Sequence, residues 1–368
     1  MKINLINIYI AKNFLTRFFQ VIVGFSLLIF FINFIDILEH TKDAPLHVSI
    51  ALAALQIPDF LNDISPSMVL ISAIIGFFSL SSKSEISIIR MSGFSLWQVL
   101  QPIAVSAFLL GIFWITIFDP ISVQAMKKFN HLEAQYVKNE TRDVVEPTSG
   151  IWVKQSNLEK PDEEIIIRAQ KAYRESDELG KVNVWFFDKN DSFYRKIDAN
   201  SAKLEGKNWV LSDDILNEND DILNKKMEQI TIPTDLTADF VMNKIVNNFQ
   251  NVKLFSFFEL PNLIRELSAA GFASIKFKVY FHSLLSRPLI FTAMTLIACF
   301  FGLNHIRNQN TVLMLFFGIL IGLGLYITSS IVNALGSSGL IPVFASTWII
   351  AIICLAIGTL LIYKKEHF

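Results

Sequence analysis

Long apolar runs at both ends of the chain predict six membrane-spanning helices. A helix rises about 1.5 Å per residue, so roughly 20 apolar residues cross the roughly 30 Å of hydrocarbon in a bilayer. Six stretches meet this requirement, at residues 14–35, 48–80, 96–118, 279–303, 311–335 and 340–363. The pattern predicts three spans, a long polar insert and three further spans.

The second stretch is too long for one straight crossing and contains Pro58 and Pro66. Proline removes a helix hydrogen bond and restricts the residue before it. We therefore expect an outer, kinked or interfacial piece up to Phe60, followed by a membrane core at residues 64–80.

Short β-prone runs fill the insert from about residue 145 to residue 250. They lie at residues 151–153, 164–168, 182–187, 198–204, 209–211 and 227–232, with Asn, Asp, Gly and Pro clusters between them. A spacing of about 8 to 12 residues or a little more favours a small sandwich or a jelly roll. Residues 255–270 carry apolar positions at helical spacing and predict a helix before the fourth span.

These elements predict an α+β membrane protein with an inserted β-jelly-roll-like domain. Residues 1–125 form three spans and a cytoplasmic connecting helix at about 82–92. Residues 126–275 form the β domain with flanking helices, and residues 276–368 form the last three spans. The two flanks mirror each other in layout.

Basic residues in the short loops predict the orientation. Cytoplasmic loops carry an excess of Lys and Arg. Four places are basic: the N-terminal segment, the loops after spans two and four, and the C-terminus, with Lys12, Arg17, Lys83, Arg90, Arg307, Lys364 and Lys365 among their residues. We expect a multi-pass membrane protein with both termini in the cytoplasm and the β domain on the opposite side of the membrane.

Composition and motifs narrow the chemistry. The chain of 368 residues is 52% hydrophobic and 18% charged, with a net charge of −1. This balance gives no electrostatic basis for binding nucleic acid. The sequence contains no phosphate-binding G-x-x-x-x-G-K-[ST] loop, no H-E-x-x-H, no Cys-His metal spacing and no G-x-S-x-G. We expect no catalytic site, cofactor or metal in this chain, with an intramembrane hydrolase as a minor alternative.

Three charged residues lie near the predicted outer ends of spans. Asp59 and Asp63 are four residues apart on one helical face, and Arg287 precedes Pro288 in span four. Charged residues at membrane depth often mark function. We favour outer-interface positions within reach of water for the two aspartates. Arg287 either extends to the interface or faces an interior groove.

The loop after span two predicts a short cytoplasmic helix. Ser82 and Glu85 have the spacing of a capping box, and Gly93 suits a helix end. Apolar residues occupy one side and charged residues the two ends: Ile86, Ile89, Glu85 and Arg90. Such a helix either receives force from a soluble partner or lies at the interface as an ordinary connector.

Four segments carry a resemblance to a known family. They are NIYIAKNFLTRFF near the start, SEISIIRMSGFSLWQV after span two, residues 150–154, and ELPNLIRELSAAGFASIKFKVYFHSLLSRPL before and within span four. In this order they resemble the permease subunits of lipopolysaccharide export, the LptF/LptG family. The Trp152 strand and the entry to span four lean toward LptG. The resemblance covers nearly the whole chain.

The resemblance implies a set of partners. They are a homologous second permease subunit, a cytoplasmic ABC ATPase dimer that uses ATP, a single-span periplasmic bridge protein and lipopolysaccharide itself. The lipid would leave the inner membrane for a bridge of jelly-roll domains that leads toward the outer membrane. The chain would serve outer-membrane biogenesis as a lipid-export subunit without its own ATPase.

The resemblance also assigns roles to residues. Glu85, Ile86, Ile89, Arg90 and Gly93 would couple the chain to the ATPase. Lys42, Lys127 and Lys128 would contact lipid phosphates, and Asn33, Glu39 and His40 stand where a lysine is otherwise expected in span one. The first and fifth spans would form cavity walls and lateral gates, with Phe30, Phe34, Phe316 and Tyr326 on them.

Two other readings share these features. One is an ABC-linked permease or mechanotransmission protein that acts on another lipid or on a lipoprotein. The other is a membrane scaffold that transports nothing. A proton-coupled transporter is less favoured, because its spans would carry ionisable residues near the midplane.

Overall fold

The computed structural model describes residues 5–40, 45–136, 144–145, 151–156, 163–173, 178–188, 192–217, 226–234, 251–269, 274–303 and 311–367. The chain divides into two compact units. The membrane unit contains residues 1–132, 255–261 and 275–368, and the β unit contains residues 133–254 and 262–274.

Long helices make up the membrane unit. They are α1 (Leu5–His40), α2 (Leu46–Ser82), α3 (Glu85–Met91), α4 (Leu96–Phe113), α5 (Asp119–Tyr136), α6 (Leu260–Ala269), α7 (Ile275–Leu303), α8 (Thr311–Ser337) and α9 (Val343–His367), of which α6 and the end of α5 extend into the β unit. A π-helical segment, Trp114–Phe118, joins α4 to α5. Among the described residues, six helices are long and apolar enough to span a membrane, which confirms the six predicted spans.

The second span is one continuous helix. Helix α2 extends from Leu46 to Ser82 through both prolines, so the expected outer piece and the expected membrane core belong to the same helix. Pro66 has no N–H to donate to the carbonyl of Asn62, four residues earlier. The Ser65 hydroxyl donates to that carbonyl at 2.9 Å instead. A local side chain thus satisfies the acceptor, as is common for prolines in membrane helices.

The third span is also longer than predicted. We expected it to end at Phe118, but the chain stays helical through the π segment and α5 to Tyr136. Lys127 and Lys128 therefore lie on a helix.

Helices α2 and α7 form the centre of the membrane unit. In the most apolar 18-residue stretch of each of these two helices, 61% of the residues are buried, against 17% in α1 and 11% in α8. Buried side chains from several helices pack together at this centre, among them Phe14, Met68, Phe77, Trp114 and Phe291. Helices α1 and α8 consequently present most of their apolar surface outward.

One antiparallel sheet forms the centre of the β unit. Its strands are β1 (Val144–Val145), β2 (Ile151–Ser156), β3 (Glu164–Tyr173), β4 (Glu178–Phe187), β5 (Phe193–Glu205), β6 (Asn208–Asn217) and β7 (Lys226–Pro233). Strands β1 and β2 pair with the same edge of β3, and β3 to β7 follow in chain order. All six predicted β-prone runs lie within these strands, and the predicted fold class is confirmed.

The sheet curves until its two end strands meet. Gln155 in β2 donates to the carbonyl of Pro233 at the end of β7 at 3.0 Å, and the Thr234 hydroxyl donates to the Gln155 side chain at 2.7 Å. Alternate residues of β3, including Ile165 and Ile167, point into the enclosed core. The β unit thus has a core of its own, in which Trp209 is fully buried.

Candidate functional site

The short connecting helix α3 is set off by two sharp turns. Ser84 precedes it with a left-handed backbone (φ 60°), and its N–H donates to the carbonyl of Ser81 at 2.9 Å. Gly93 follows it with φ 93°, and its N–H donates to the carbonyl of Arg90 at 3.0 Å. Glycine adopts such a backbone without steric cost, so Gly93 ends the helix as predicted.

The predicted capping box at Ser82 and Glu85 is wrong. Helix α2 extends to Ser82, whose hydroxyl donates back to the carbonyl of Ser79 at 3.1 Å. A capping box forms instead at the start of α4. There the Ser95 hydroxyl accepts from the Gln98 N–H at 3.2 Å, and the Gln98 side chain accepts from the Ser95 N–H at 3.0 Å.

Glu85 contacts the first span rather than a serine cap. Its Oε2 accepts a hydrogen bond of 3.0 Å from the Tyr9 hydroxyl of α1. Tyr9 could not be identified from the sequence, because the two residues are 76 positions apart and no local pattern relates them.

The side chains of α3 divide between two surfaces. Ile86 is buried in the membrane-unit core, and Ile89 packs partly against it. Ile88 and Met91 are exposed, with 56% and 79% of their surfaces accessible. The apolar pair identified from the sequence therefore holds α3 against the spans, while Ile88 and Met91 lie on its outer surface with Arg90.

The predicted phosphate-contacting lysines have different settings. Lys42 lies outside the described residues. Lys127 and Lys128 are exposed on α5. The Lys127 ammonium lies 3.6 Å from the carboxylate of Glu259, so the structure places an acidic partner beside a residue that we expected to meet phosphate.

The predicted gate residues lie on the two most exposed spans. The rings of Phe30 and Phe34 stack on α1 with centroids 5.8 Å apart, and Phe316 is exposed on α8. Tyr326 of α8 lines a pocket of about 70 Å³ among α2, α7, α8 and α9, together with Asp63, Ser67, Met294 and Ile350. The structure thus brings Asp63 and Tyr326 to one pocket.

A buried polar cluster joins α2, α5 and α7. The Asp119 carboxylate is fully buried, and its Oδ1 accepts from the Asn62 side chain at 3.3 Å. Asn62 Oδ1 accepts from the Trp114 indole N–H at 2.9 Å and from the Arg287 guanidinium. Arg287 therefore faces the interior, which decides between our two readings of it. Asp119 was missed because we ended the third span one residue before it.

Metal ligands are not clustered in the part of the chain that the structure describes. No three His, Cys, Asp or Glu side chains there are placed to hold an ion.

The chain matches a known protein family over nearly its whole length. The model of the lipopolysaccharide export system permease LptF/LptG family matches residues 8–364, which include every span, α3 and the β unit. The chain belongs to this family. This confirms the resemblance in the sequence and makes the chain a multi-pass inner-membrane permease of the lipopolysaccharide export class.

Two curated relatives support the assignment. The lipopolysaccharide export system permease protein LptG of Escherichia coli strain K12 is 23% identical over 287 residues. The protein of the same name from Escherichia coli O6:H1 strain CFT073 matches equally. Each alignment covers 76% of this chain and 76% of the relative. The chain is thus similar to LptG over most of its length.

Proposed function

We propose that this chain extracts lipopolysaccharide from the inner membrane and passes it to a periplasmic bridge, driven by a separate cytoplasmic ATPase. The family match across residues 8–364 carries the proposal, since it spans the helices, the connecting helix and the β unit. In this proposal both termini lie in the cytoplasm and the β unit lies in the periplasm.

The energy must come from another subunit, because the sequence has no phosphate-binding loop. We assign the docking of the ATPase to α3. Its buried side, at Ile86, fixes it to the spans, and its outer side offers the apolar Ile88 and Met91. A rigid helix with exposed apolar residues is suited to a groove in a soluble partner. Glu85 and Arg90 supply charges at its two ends.

The cargo explains the need for apolar surface throughout the route. A lipid with several acyl chains has on the order of 60 methylenes, and exposing them at about 0.8 kcal/mol each would cost roughly 50 kcal/mol. The lipid must therefore remain shielded at every step. The outward apolar faces of α1 and α8, with Phe30, Phe34, Phe316 and Tyr326, are the surfaces that we assign to the cavity and its gates.

The partners in this proposal follow from the family. A homologous second permease would face α1 and α8 and complete the cavity. An ABC ATPase dimer would bind from the cytoplasm, a single-span bridge protein would contribute a helix, and the β unit would receive the lipid. ATP would be used by the ATPase, with no cofactor bound to this chain.

The test uses the whole complex in vesicles that contain lipopolysaccharide. With ATP, the wild-type complex should release lipid to a soluble periplasmic acceptor. Glu85→Lys should reduce co-purification of the ATPase roughly tenfold, because a charge reversal at a docked carboxylate costs about 1.4 kcal/mol or more. The control is Glu39→Lys, the same charge reversal at the end of α1 that lies far from Tyr9 and Glu85. It should leave the yield of ATPase unchanged.

Three results would contradict the proposal. The first is wild-type recovery of the ATPase with Glu85→Lys. The second is purification from native membranes with a different lipid or a lipoprotein bound, which would favour an ABC-linked permease for another cargo. A complex that hydrolyses no ATP and releases no lipid would favour a scaffold.

A further inference from the structure

The buried carboxylate of Asp119 uses both of its oxygens within the membrane unit. Its Oδ1 accepts from the Asn62 side chain at 3.3 Å, and its Oδ2 accepts from the backbone N–H of Phe257 at 3.0 Å. The Arg287 guanidinium of α7 reaches the cluster through its hydrogen bond to Asn62. Helices α2 and α5 and the segment before α6 therefore meet at Asp119, and α7 joins them through Asn62.

Such a cluster is unusual among apolar spans. A charged group inside a membrane protein is costly unless it is paired, and such groups commonly mark functional positions. Asp119 has no exposed surface, and only 4% of Asn62 is exposed. Replacing buried charged groups with well-packed apolar residues is often neutral or stabilising, so stability alone is a weak explanation of the cluster.

The π segment determines the direction in which Asp119 points. The N–H of Asp119 donates to the carbonyl of Trp114, five residues earlier. A π turn holds one residue more than an α turn, so it rotates the following residues by roughly 100° relative to an uninterrupted α-helix. Trp114 stacks on Phe118 across this turn, with centroids 3.9 Å apart. The local backbone is thus arranged to bring Asp119 inward.

Asp119 also lies where the chain leaves the spans for the β unit. Helix α5 begins at Asp119 and leads to the first strand, while Phe257 follows the last strand on the way back to α7. Both residues belong to the membrane unit. A second contact, between Lys127 of α5 and Glu259, joins the same two connections at 3.6 Å.

We propose that Asp119 is a positioning residue for lipid transfer. It holds two segments to one point among α2, α5 and α7: helix α5, which leads into the β unit, and the segment at Phe257, which leads back to α7. A shift of these helices would therefore move both segments together. This inference rests on the proposed function and adds the residue through which helix movement reaches the β unit.

The first experiment measures lipid released per ATP hydrolysed by the reconstituted complex. Asp119→Ala should lower this ratio by roughly 2- to 30-fold, as expected for residues in a coupling network, while ATP hydrolysis stays within about twofold of wild type. Asp119→Asn retains an acceptor for the Phe257 N–H and should lose less. Asp36→Ala, which removes an exposed carboxylate of α1, is the matched control and should leave the ratio unchanged.

The second experiment restores the connection covalently. Lys127→Cys and Glu259→Cys are combined with Asp119→Ala and bridged by a short bismaleimide. The same cysteine pair with Asp119 intact is the reference, so the loss of Lys127 is common to both. Bridging should raise lipid release per ATP in the Asp119→Ala protein toward the reference. The native Cys299 and Cys354 are buried, and the chain without introduced cysteines controls for their labelling.

Three outcomes would overturn the inference. They are a wild-type ratio in Asp119→Ala, an equal fall in hydrolysis and release, and a failure of the bridge to restore release. If Asp119→Ala is not recovered in the membrane, Asp119→Asn carries the same test. Failure of the wild-type complex to release lipid would instead contradict the proposed function, so the two failures are distinguishable.

Discussion

The Tyr9 hydroxyl donates a hydrogen bond of 3.0 Å to the Glu85 carboxylate and so joins the first span to the connecting helix. A neighbouring contact reinforces this connection, since the Arg17 guanidinium of α1 donates to the Ser79 hydroxyl of α2 at 3.3 Å. The same part of α1 buries Ile10, Phe14 and Phe18 in the core of the membrane unit. Movement of α3 therefore reaches α1 directly as well as through α2.

Tyr9→Phe tests this direct route. The change keeps the ring and removes one hydrogen bond, whose net contribution is about 0.5–1.5 kcal/mol. We expect lipid release per ATP to fall roughly 2- to 10-fold, with the ATPase still bound. Tyr136→Phe, at an exposed tyrosine of α5, is the control. Unchanged release in Tyr9→Phe but reduced release in Tyr9→Ala would assign the effect to ring packing instead.

Gly111→Ala tests the crossing of α4 and α7. A Cβ at residue 111 would lie 2.5 Å from the Pro288 Cα, so the two backbones would have to separate. We expect a loss of about 1–3 kcal/mol in stability, seen as a lower thermal transition in detergent. Gly24→Ala is the matched control on α1, where nothing lies within 4 Å of such a Cβ. Equal transitions for the two variants would contradict the prediction.

Gln155→Ala tests the closure of the curved sheet. It removes the two hydrogen bonds to Pro233 and Thr234, each with a net contribution of about 0.5–1.5 kcal/mol to stability. Hydrogen exchange should become faster in β2 and β7 first. Gln170→Ala, at an exposed glutamine of β3, should leave exchange unchanged. An equal increase of hydrogen exchange in every strand would indicate general unfolding rather than separation of β2 from β7.

The spans and the strands could be predicted from the sequence because local periodicity determines them. The six β-prone runs are bounded by turn residues, and each falls inside an observed strand. The continuity of α2 could not be predicted, because Pro66 has a local compensation. The Ser65 hydroxyl donates to the Asn62 carbonyl, which Pro66 cannot reach with an N–H. The length and composition of the span do not reveal this hydrogen bond.

The site was only partly predictable, because its contacts join distant parts of the chain. The connecting helix and Gly93 follow from local spacing. The Tyr9–Glu85 bond and the Asp119 cluster depend on which helices are neighbours. The π segment adds a further difficulty, since an α-helical projection would place Asp119 on the wrong face of the third span. The Asp119-Pro120 sequence is the one local signal, because Pro120 has no N–H to continue a regular α turn.

The ion pair between Lys127 and Glu259 leads to the last prediction, on lipid phosphate. Both side chains are about half exposed, at 44% and 50%, and such surface pairs contribute only about 0–1 kcal/mol. A lipid phosphate would therefore compete readily with Glu259 for the Lys127 ammonium. We expect Lys127→Glu with Lys128→Glu to lower photo-crosslinking of lipopolysaccharide roughly 3- to 10-fold, because two favourable charges become repulsive.

Two single substitutions separate phosphate binding from the ion pair itself. Lys127→Gln should reduce crosslinking, whereas Glu259→Gln should maintain or increase it, because it leaves the ammonium available to phosphate. The glutamine side chain at 259 still offers an oxygen to the Ser256 N–H, which Glu259 now accepts at 3.0 Å. An equal reduction in both variants would show that the pair matters for structure and would remove Lys127 from the phosphate site.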